Sequence, residues 1–216
     1  MNAVICDLDG LLIDSEQLHF EAYRYILGDY GVTVTRQMFI DAWLSGTIYG
    51  THYYLKEAGI TDKDEIARAR ARKTDRYVEI AAGRLKLMPG VEGFLKRLNQ
   101  VGIPMGVGTG GYRKEYEFSI KECGLNPYVQ AMVGGDDAPR NKPAPDIFLE
   151  VAKRLNADPE QCVVFENSVV GLNAGLAAGM HCIVIPSDFT ADQDFSKADE
   201  LFSSIEEVDL SKLFVA

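Results

Sequence analysis

Of 216 residues, 47% are hydrophobic and 25% charged, an ordinary globular composition that suffices for one domain or for one domain carrying an insertion. The formal net charge of −10 repels a phosphate backbone, which argues against nucleic acid as a partner, and any site for an anionic substrate must gather its cations locally. The four cysteines form no C-x-x-C pair, so neither a disulfide framework nor a thiolate metal centre is expected, and no run reaches the roughly 20 apolar residues of a membrane span.

Ala3 to Cys6 is a short apolar run that stops at Asp7 and reads as a buried parallel strand. From Ser15 to Arg84 the pattern is helical throughout. Ser15 is placed to cap a helix whose apolar positions Leu18, Ala22, Tyr25 and Ile26 share one face. Further helices are expected over Arg36–Leu44, Gly50–Ala58 and Asp62–Ala82, the last with a charged tract, Asp64 to Arg72, that reads as a solvated face. After Pro89-Gly90 helix and strand alternate: helix Val91–Val101, strand Ile103–Gly108, helix Tyr112–Cys123, strand Ala131–Val133, helix Asp146–Leu155, strand Cys162–Phe165, helix Val169–Ala178 and strand His181–Ile185. The tail from Phe189 is more polar and carries no clear pattern. Strict alternation implies right-handed crossovers and a parallel sheet covered on both faces.

Ligands of an open parallel sheet bind beyond the carboxyl ends of its strands, so the polar residues that follow each apolar run are the candidates. Asp7 and Asp9 follow the first strand, and two carboxylates there repel unless something compensates, which magnesium with its oxygen ligands does. Asp7 is then a competent nucleophile toward phosphorus, and Asp9 a general acid and base. Gly10 permits a tight turn that offers backbone N–H groups to a phosphate. Taken alone, the D-x-D-G stretch fits a plain acidic turn equally well. Thr109, followed by Gly110-Gly111, suits phosphate oxygens at a helix N-terminus, or an ordinary helix cap. Lys142, set between Asn141 and Pro143, suits a phosphoryl group or is a surface lysine. Glu166-Asn167-Ser168 suits a metal site, or a loop in which Ser168 caps the next helix.

In this order, each at a strand end, these segments resemble the four motifs of the haloacid dehalogenase-like superfamily. The first is Asp7-Leu8-Asp9-Gly10-Leu11-Leu12-Ile13-Asp14-Ser15, the second Thr109, the third Lys142, and the fourth Glu166-Asn167-Ser168-Val169-Val170-Gly171. The resemblance runs from about Val4 to Pro186, toward the beta-phosphoglucomutase-like and pseudouridine-phosphatase-like branch. It implies an α/β fold: a Rossmann-like parallel sheet core (residues 1–14 and 85–216) with an inserted α-helical cap (residues 15–84). It makes Asp7 the nucleophile and Asp9 the acid/base. It gives Asp7, the Asp9 carbonyl, Glu166 and Asn167 to Mg2+, and Gly10, Thr109, Gly110 and Lys142 to phosphate. Relatives usually carry Asp where this chain has Asn167, which takes one negative charge from the metal site. His19 matches a position that faces the active site in relatives, although a helical histidine also serves as packing.

The implied activity is a magnesium-dependent phosphatase acting on a small phosphorylated metabolite, of sugar phosphate or nucleoside monophosphate type. The alternatives are a phosphomutase and, behind it, a phosphometabolite-binding module without turnover. Mutases hold a second phosphate with a lysine and an arginine in the first cap loop, where this chain has Ser45 and Tyr49, and their Lys-Asn pair after the second motif is here Tyr112-Arg113. By sequence, Arg113 and then Lys56 are the nearest cations for such a role. A monomer is expected, and with neither a basic leader nor a long apolar run at the N-terminus, a cytoplasmic one.

Overall fold

The computed structural model describes residues 1–45 and 50–213. In chain order the elements are β1 (Ala3–Cys6), α1 (Glu16–Gly28), α2 (Arg36–Phe39) continuing into a π-helical turn (Ile40–Leu44), α3 (Gly50–Glu57), α4 (Lys63–Ala81) and α5 (Val91–Gln100). There follow β2 (Met105–Gly108), α6 (Arg113–Glu122), β3 (Ala131–Val133), α7 (Asp146–Arg154), β4 (Cys162–Glu166), α8 (Val169–Ala177), β5 (His181–Val184), β6 (Glu200–Leu201) and α9 (Leu210–Leu213).

The six strands form one parallel sheet in the order β3-β2-β1-β4-β5-β6. Alternate residues of each strand face opposite sides, so β1 sends Val4 and Cys6 into one apolar layer with Phe94, Leu95 and Val107, and Ala3 and Ile5 into the other with Phe148 and Val151. The sparse side chains of β2 follow from packing: a Cβ on Gly108 would sit 2.9 Å from the ring of Phe148 on α7. The sheet order reverses between β1 and β4, and there the rule for open α/β sheets puts the ligand.

Between β1 and α5 the elements among the described residues are helices, and they build an apolar cluster of their own, with Phe20, Leu27, Phe39, Tyr54 and Leu55. Its entrance and exit adjoin. Ile13 bridges antiparallel to Leu87, Asp14 N donates to Lys86 O (2.9 Å) and Met88 N to Leu12 O (3.0 Å). On α4 the buried positions Ile66, Ala69, Lys73, Thr74, Tyr77 and Ala81 recur at helical spacing, and this face meets α1 and α6.

The sheet and helices follow the expected order, with local differences. Tyr25 is 55% exposed rather than in the buried face of α1, and Arg76 lies over its ring at 4.4 Å. The helix expected over Arg36–Leu44 changes to π geometry at Ile40. The second strand begins at Met105, and β6 appears in the polar tail, pairing Glu200 with Ile183.

Candidate active site

Beyond Cys6 the chain keeps to the sheet for one more bond, Asp7 N to Phe165 O (2.9 Å), which fixes the Asp7 side chain at the switch between β1 and β4. Lys142 comes from the loop after β3. Its side chain is 5% exposed, and its Nζ donates to Asp7 Oδ1 and to Glu166 Oε1, both at 2.6 Å. It is therefore no surface lysine. The other Glu166 oxygen accepts from Asn167 N (2.9 Å), Ser168 N (3.1 Å) and Ser168 Oγ (3.0 Å), so this carboxylate has no freedom to turn. Ser168 also caps α8 by accepting from Gly171 N.

Asp9 faces a different set. Ser15 Oγ (2.6 Å) and His19 Nε2 (3.0 Å) meet its Oδ1, and Thr109 Oγ1 donates to its Oδ2 (3.0 Å). The far side of the His19 ring, Nδ1, lies 2.8 Å from Lys73 Nζ. An ammonium only donates, so Nδ1 accepts and the ring proton sits on Nε2, aimed at Asp9. Tyr77 stacks on the imidazole at 3.9 Å and holds its plane. Lys73 in turn binds Glu115 Oε1 (3.0 Å), which also accepts from Thr74 Oγ1 (2.7 Å). The chain Asp9–His19–Lys73–Glu115 thus links the turn after β1 to α1, α4 and α6.

The two aspartates differ electrostatically. Burial opposes ionisation of Asp9, but the His19 ring and the Ser15 and Thr109 hydroxyls outweigh it and hold this carboxyl below the usual range. Burial also pushes Asp7 up. Lys142 offsets part of that, while Glu166 and Asp9 add repulsion, and the net direction is well upward. Lys142 itself is raised: burial works against its charge, and Asp7 and Glu166 overcome this. With one ammonium for Asp7 and Glu166, the site is short of positive charge.

That shortage, together with hard oxygen donors, is what a magnesium ion fits. Among the described residues no group of three or more His, Cys, Asp or Glu side chains forms a metal cluster. The set at hand is two carboxylates, the Asn167 amide and the Asp9 carbonyl.

Several expectations need amendment. Gly10 does take the left-handed turn (φ 79°), but its N–H donates to Ile13 O (2.8 Å) and is spent inside the turn rather than offered to phosphate. Ser15 precedes α1 without capping it, because its hydroxyl serves Asp9. Asn167 is buried, with Nδ2 donating to Glu16 Oε1 (3.0 Å), and burial raises the Glu16 carboxyl to about 7. Gly110 lines the cavity, its carbonyl held by Asn141 Nδ2 (3.0 Å).

Above these groups lies a cavity of about 380 Å3. Its floor is Asp7, Asp9, Thr109 and Lys142, and its helical wall includes Tyr23, Trp43, His52, Arg70 and Lys73. Arg70 belongs to the tract read as a solvated face, and it is exposed while also bordering the cavity. Arg113 and Lys56 do not line it, and Arg113 is committed to Asp137. Ser45 is bound by Gln193 Nε2 (3.2 Å), while Tyr49 lies outside the described residues. Sequence reasoning missed Glu16, Lys73, Thr74 and Glu115. Lys73 and Glu115 left one signal, a charged residue at a core position of a helical period.

A family model described as haloacid dehalogenase-like hydrolase matches residues 1–179. A phosphorylated carbohydrates phosphatase of Thermotoga maritima is 32% identical, over 85% of this chain and 84% of that protein. The crystal structure of CbbY from Rhodobacter sphaeroides in complex with phosphate is 27% identical with a TM-score of 0.84, covering 96% of each chain. A beta-phosphoglucomutase structure from Clostridium difficile, 21% identical over 99% of this chain and 95% of its own, has a TM-score of 0.84 and shares the fold.

Proposed function

The chain belongs to the haloacid dehalogenase-like hydrolases, and from that premise we propose that it is a magnesium-dependent phosphatase of a small phosphorylated metabolite, working through an aspartyl phosphate on Asp7. The observation that carries this reading is the convergence of Asp7, Lys142, Asp9 and Thr109 on one cavity at the strand ends. Among the named relatives, the phosphorylated carbohydrates phosphatase favours a sugar phosphate, and the CbbY structure with bound phosphate fits a phosphoryl site.

An Asp7 carboxylate oxygen attacks phosphorus, and Lys142, already against that carboxylate, moves its charge onto the transferring group. Asp7, Glu166, Asn167 and the Asp9 carbonyl would hold magnesium, which supplies the missing positive charge beside the phosphoryl oxygens. Asp9 passes a proton to the leaving oxygen. It then takes one from the water that opens the aspartyl phosphate, returning free Asp7 and inorganic phosphate. Its three donors favour the ionised form suited to the second step. When Thr109 turns its hydroxyl to a phosphoryl oxygen, one donor leaves Asp9 and protonation for the first step becomes easier.

Residues 15–84 act as a cap over a core of residues 1–14 and 85–216. In support, this segment has its own apolar cluster and carries His19 and Lys73 over Asp9. Closure excludes water and seats the leaving group.

The test is release of phosphate from para-nitrophenyl phosphate and a panel of sugar phosphates, with and without magnesium, by wild type and Asp7→Asn. Hydrolysis that requires magnesium and is lost in a folded Asp7→Asn protein is expected. Wild-type turnover in that variant sinks the mechanism. Efficient conversion of beta-glucose 1-phosphate to glucose 6-phosphate would replace hydrolysis by the mutase reading.

A further inference from the structure

Of the groups assigned to magnesium, Asp7 and Glu166 each have two like oxygens, and the Asp9 carbonyl is fixed by the backbone. The Asn167 amide is different, because it has a wrong end. Oδ1 is a fit ligand for a hard cation and Nδ2 is not. The two ends hardly differ in shape, so packing does not choose between them. Asn167 is 1% exposed, and its Nδ2 donates to Oε1 of Glu16, itself 4% exposed, at 3.0 Å. Gly10 makes room for this meeting: a Cβ there would lie 2.4 Å from Asn167 Nδ2 and 2.4 Å from the Glu16 carboxyl carbon. The glycine of the first motif, whose N–H is spent inside its own turn, thus leaves its side-chain space to the pair. An ionised carboxylate only accepts, so with the amide turned over Oδ1 and Oε1 would face each other with no proton between them. Among the described residues Oδ1 accepts no hydrogen bond, and Asn167 lines the cavity together with Asp7 and Glu166.

We propose that Glu16 is a positioning residue of the magnesium site: by holding Asn167 Nδ2 it turns Oδ1 toward the metal. This rests on the assignment of Asn167 to magnesium in the phosphatase reading. Asn167 and Glu16 are on this view a matched pair. An aspartate in place of Asn167 needs no such partner, since it presents an oxygen whichever way it is turned, and a carboxylate at 3.0 Å would repel it.

The test is calorimetric titration of magnesium chloride into wild type, Glu16→Met and Glu16→Gln, and into the same three proteins carrying Asn167→Asp, each checked for fold by circular dichroism. Methionine fills the space without a carboxylate to hold Nδ2, so Glu16→Met should weaken magnesium binding by about 10- to 100-fold, the range for losing a group that orients a metal ligand. Glutamine keeps one accepting oxygen, and Glu16→Gln should fall between Glu16→Met and wild type. With Asn167→Asp in place, neither Glu16 change should weaken binding more than about threefold, because no end of the side chain is wrong. Where Glu16→Met does not fold, Glu16→Gln in the two backgrounds gives the same comparison. Equal weakening in both backgrounds assigns the effect to charge or packing and overturns the inference, as does wild-type affinity in the Glu16 variants. A wild type that binds no magnesium removes the metal assignment and this inference together. A wild type that needs magnesium to release phosphate, with Glu16 variants that bind it equally well, removes this inference alone. Loss confined to the Asn167 background, in a protein that releases no phosphate from any substrate, upholds it and removes the hydrolase reading.

Discussion

Replacing Lys73 by methionine keeps the length of the side chain and removes its charge. Lys73 and Glu115 are each only 6% exposed, and the ammonium has Glu115 at 3.0 Å, His19 at 2.8 Å and the Tyr23 ring at 4.5 Å. Burial works against the charge, yet Glu115 and Tyr23 outweigh it and hold this lysine above its ordinary pKa. Without Lys73 the Glu115 carboxylate stays buried with Thr74 Oγ1 and Tyr112 N as its remaining donors. Removing one partner of a buried pair costs about 3–5 kcal/mol. At about 2–4 °C per kcal/mol for a chain of this size, the melting temperature should fall by about 6–20 °C. Lys96→Met, which breaks a pair 57% and 68% exposed and screened by solvent, should leave the melting temperature nearly unchanged and serves as the control. In Lys73→Met/Glu115→Gln most of the loss should return, because no buried charge is left unmatched. Turnover should not return with it, since His19 still lacks the donor that fixes its proton toward Asp9. Circular-dichroism melts and phosphate release on the four proteins read both quantities. A Lys73→Met melt equal to that of the control, or a double variant no more stable than the single, refutes the reasoning.

Asn167→Asp should tighten magnesium binding by adding a charge to the donor set, and should lower the metal-free melting temperature because it sets a carboxyl against Glu16. Calorimetry showing equal or weaker affinity would remove Asn167 from the metal site. A Cβ on Gly171 would overlap Glu166 Oε1, so Gly171→Ala must displace the carboxylate that holds Lys142. We expect a stability loss of about 1–3 kcal/mol and a drop in kcat well beyond what that explains, whereas near-wild-type kinetics would show Glu166 free to move.

The floor of the cavity was legible because strand ends are local features. A four-residue apolar run followed by Asp announces both the strand and the position of Asp7, and the same logic found Thr109 and Glu166. Lys142 needed the family motif, since nothing local separates it from a surface lysine. The wall was illegible for a physical reason. Arg70, Lys73 and Glu115 become site residues only when α4 packs against α1 and α6, and a helix in isolation does not say which of its charged positions will be covered. Tyr25 shows the converse, an apolar-looking position that stays at the surface, where a neighbouring arginine lies over its ring. β6 is two residues long and polar, too short for any alternation to register.

The pairing of Ile13 with Leu87 has a consequence for how such a chain can change. The sequence that leaves the sheet at Asp14 is back at Lys86, one backbone hydrogen bond away. Ring closure at that point depends only weakly on what lies within it, because doubling the length of an enclosed segment costs about 0.6 kcal/mol. Insertions, deletions or a wholesale exchange of the helices therefore strain neither β1 nor α5. The helices can be rewritten in one stretch of chain while Asp7, Lys142 and Glu166, held at the strand ends by another, keep their places, and only Asp9 answers to both through Ser15 and His19.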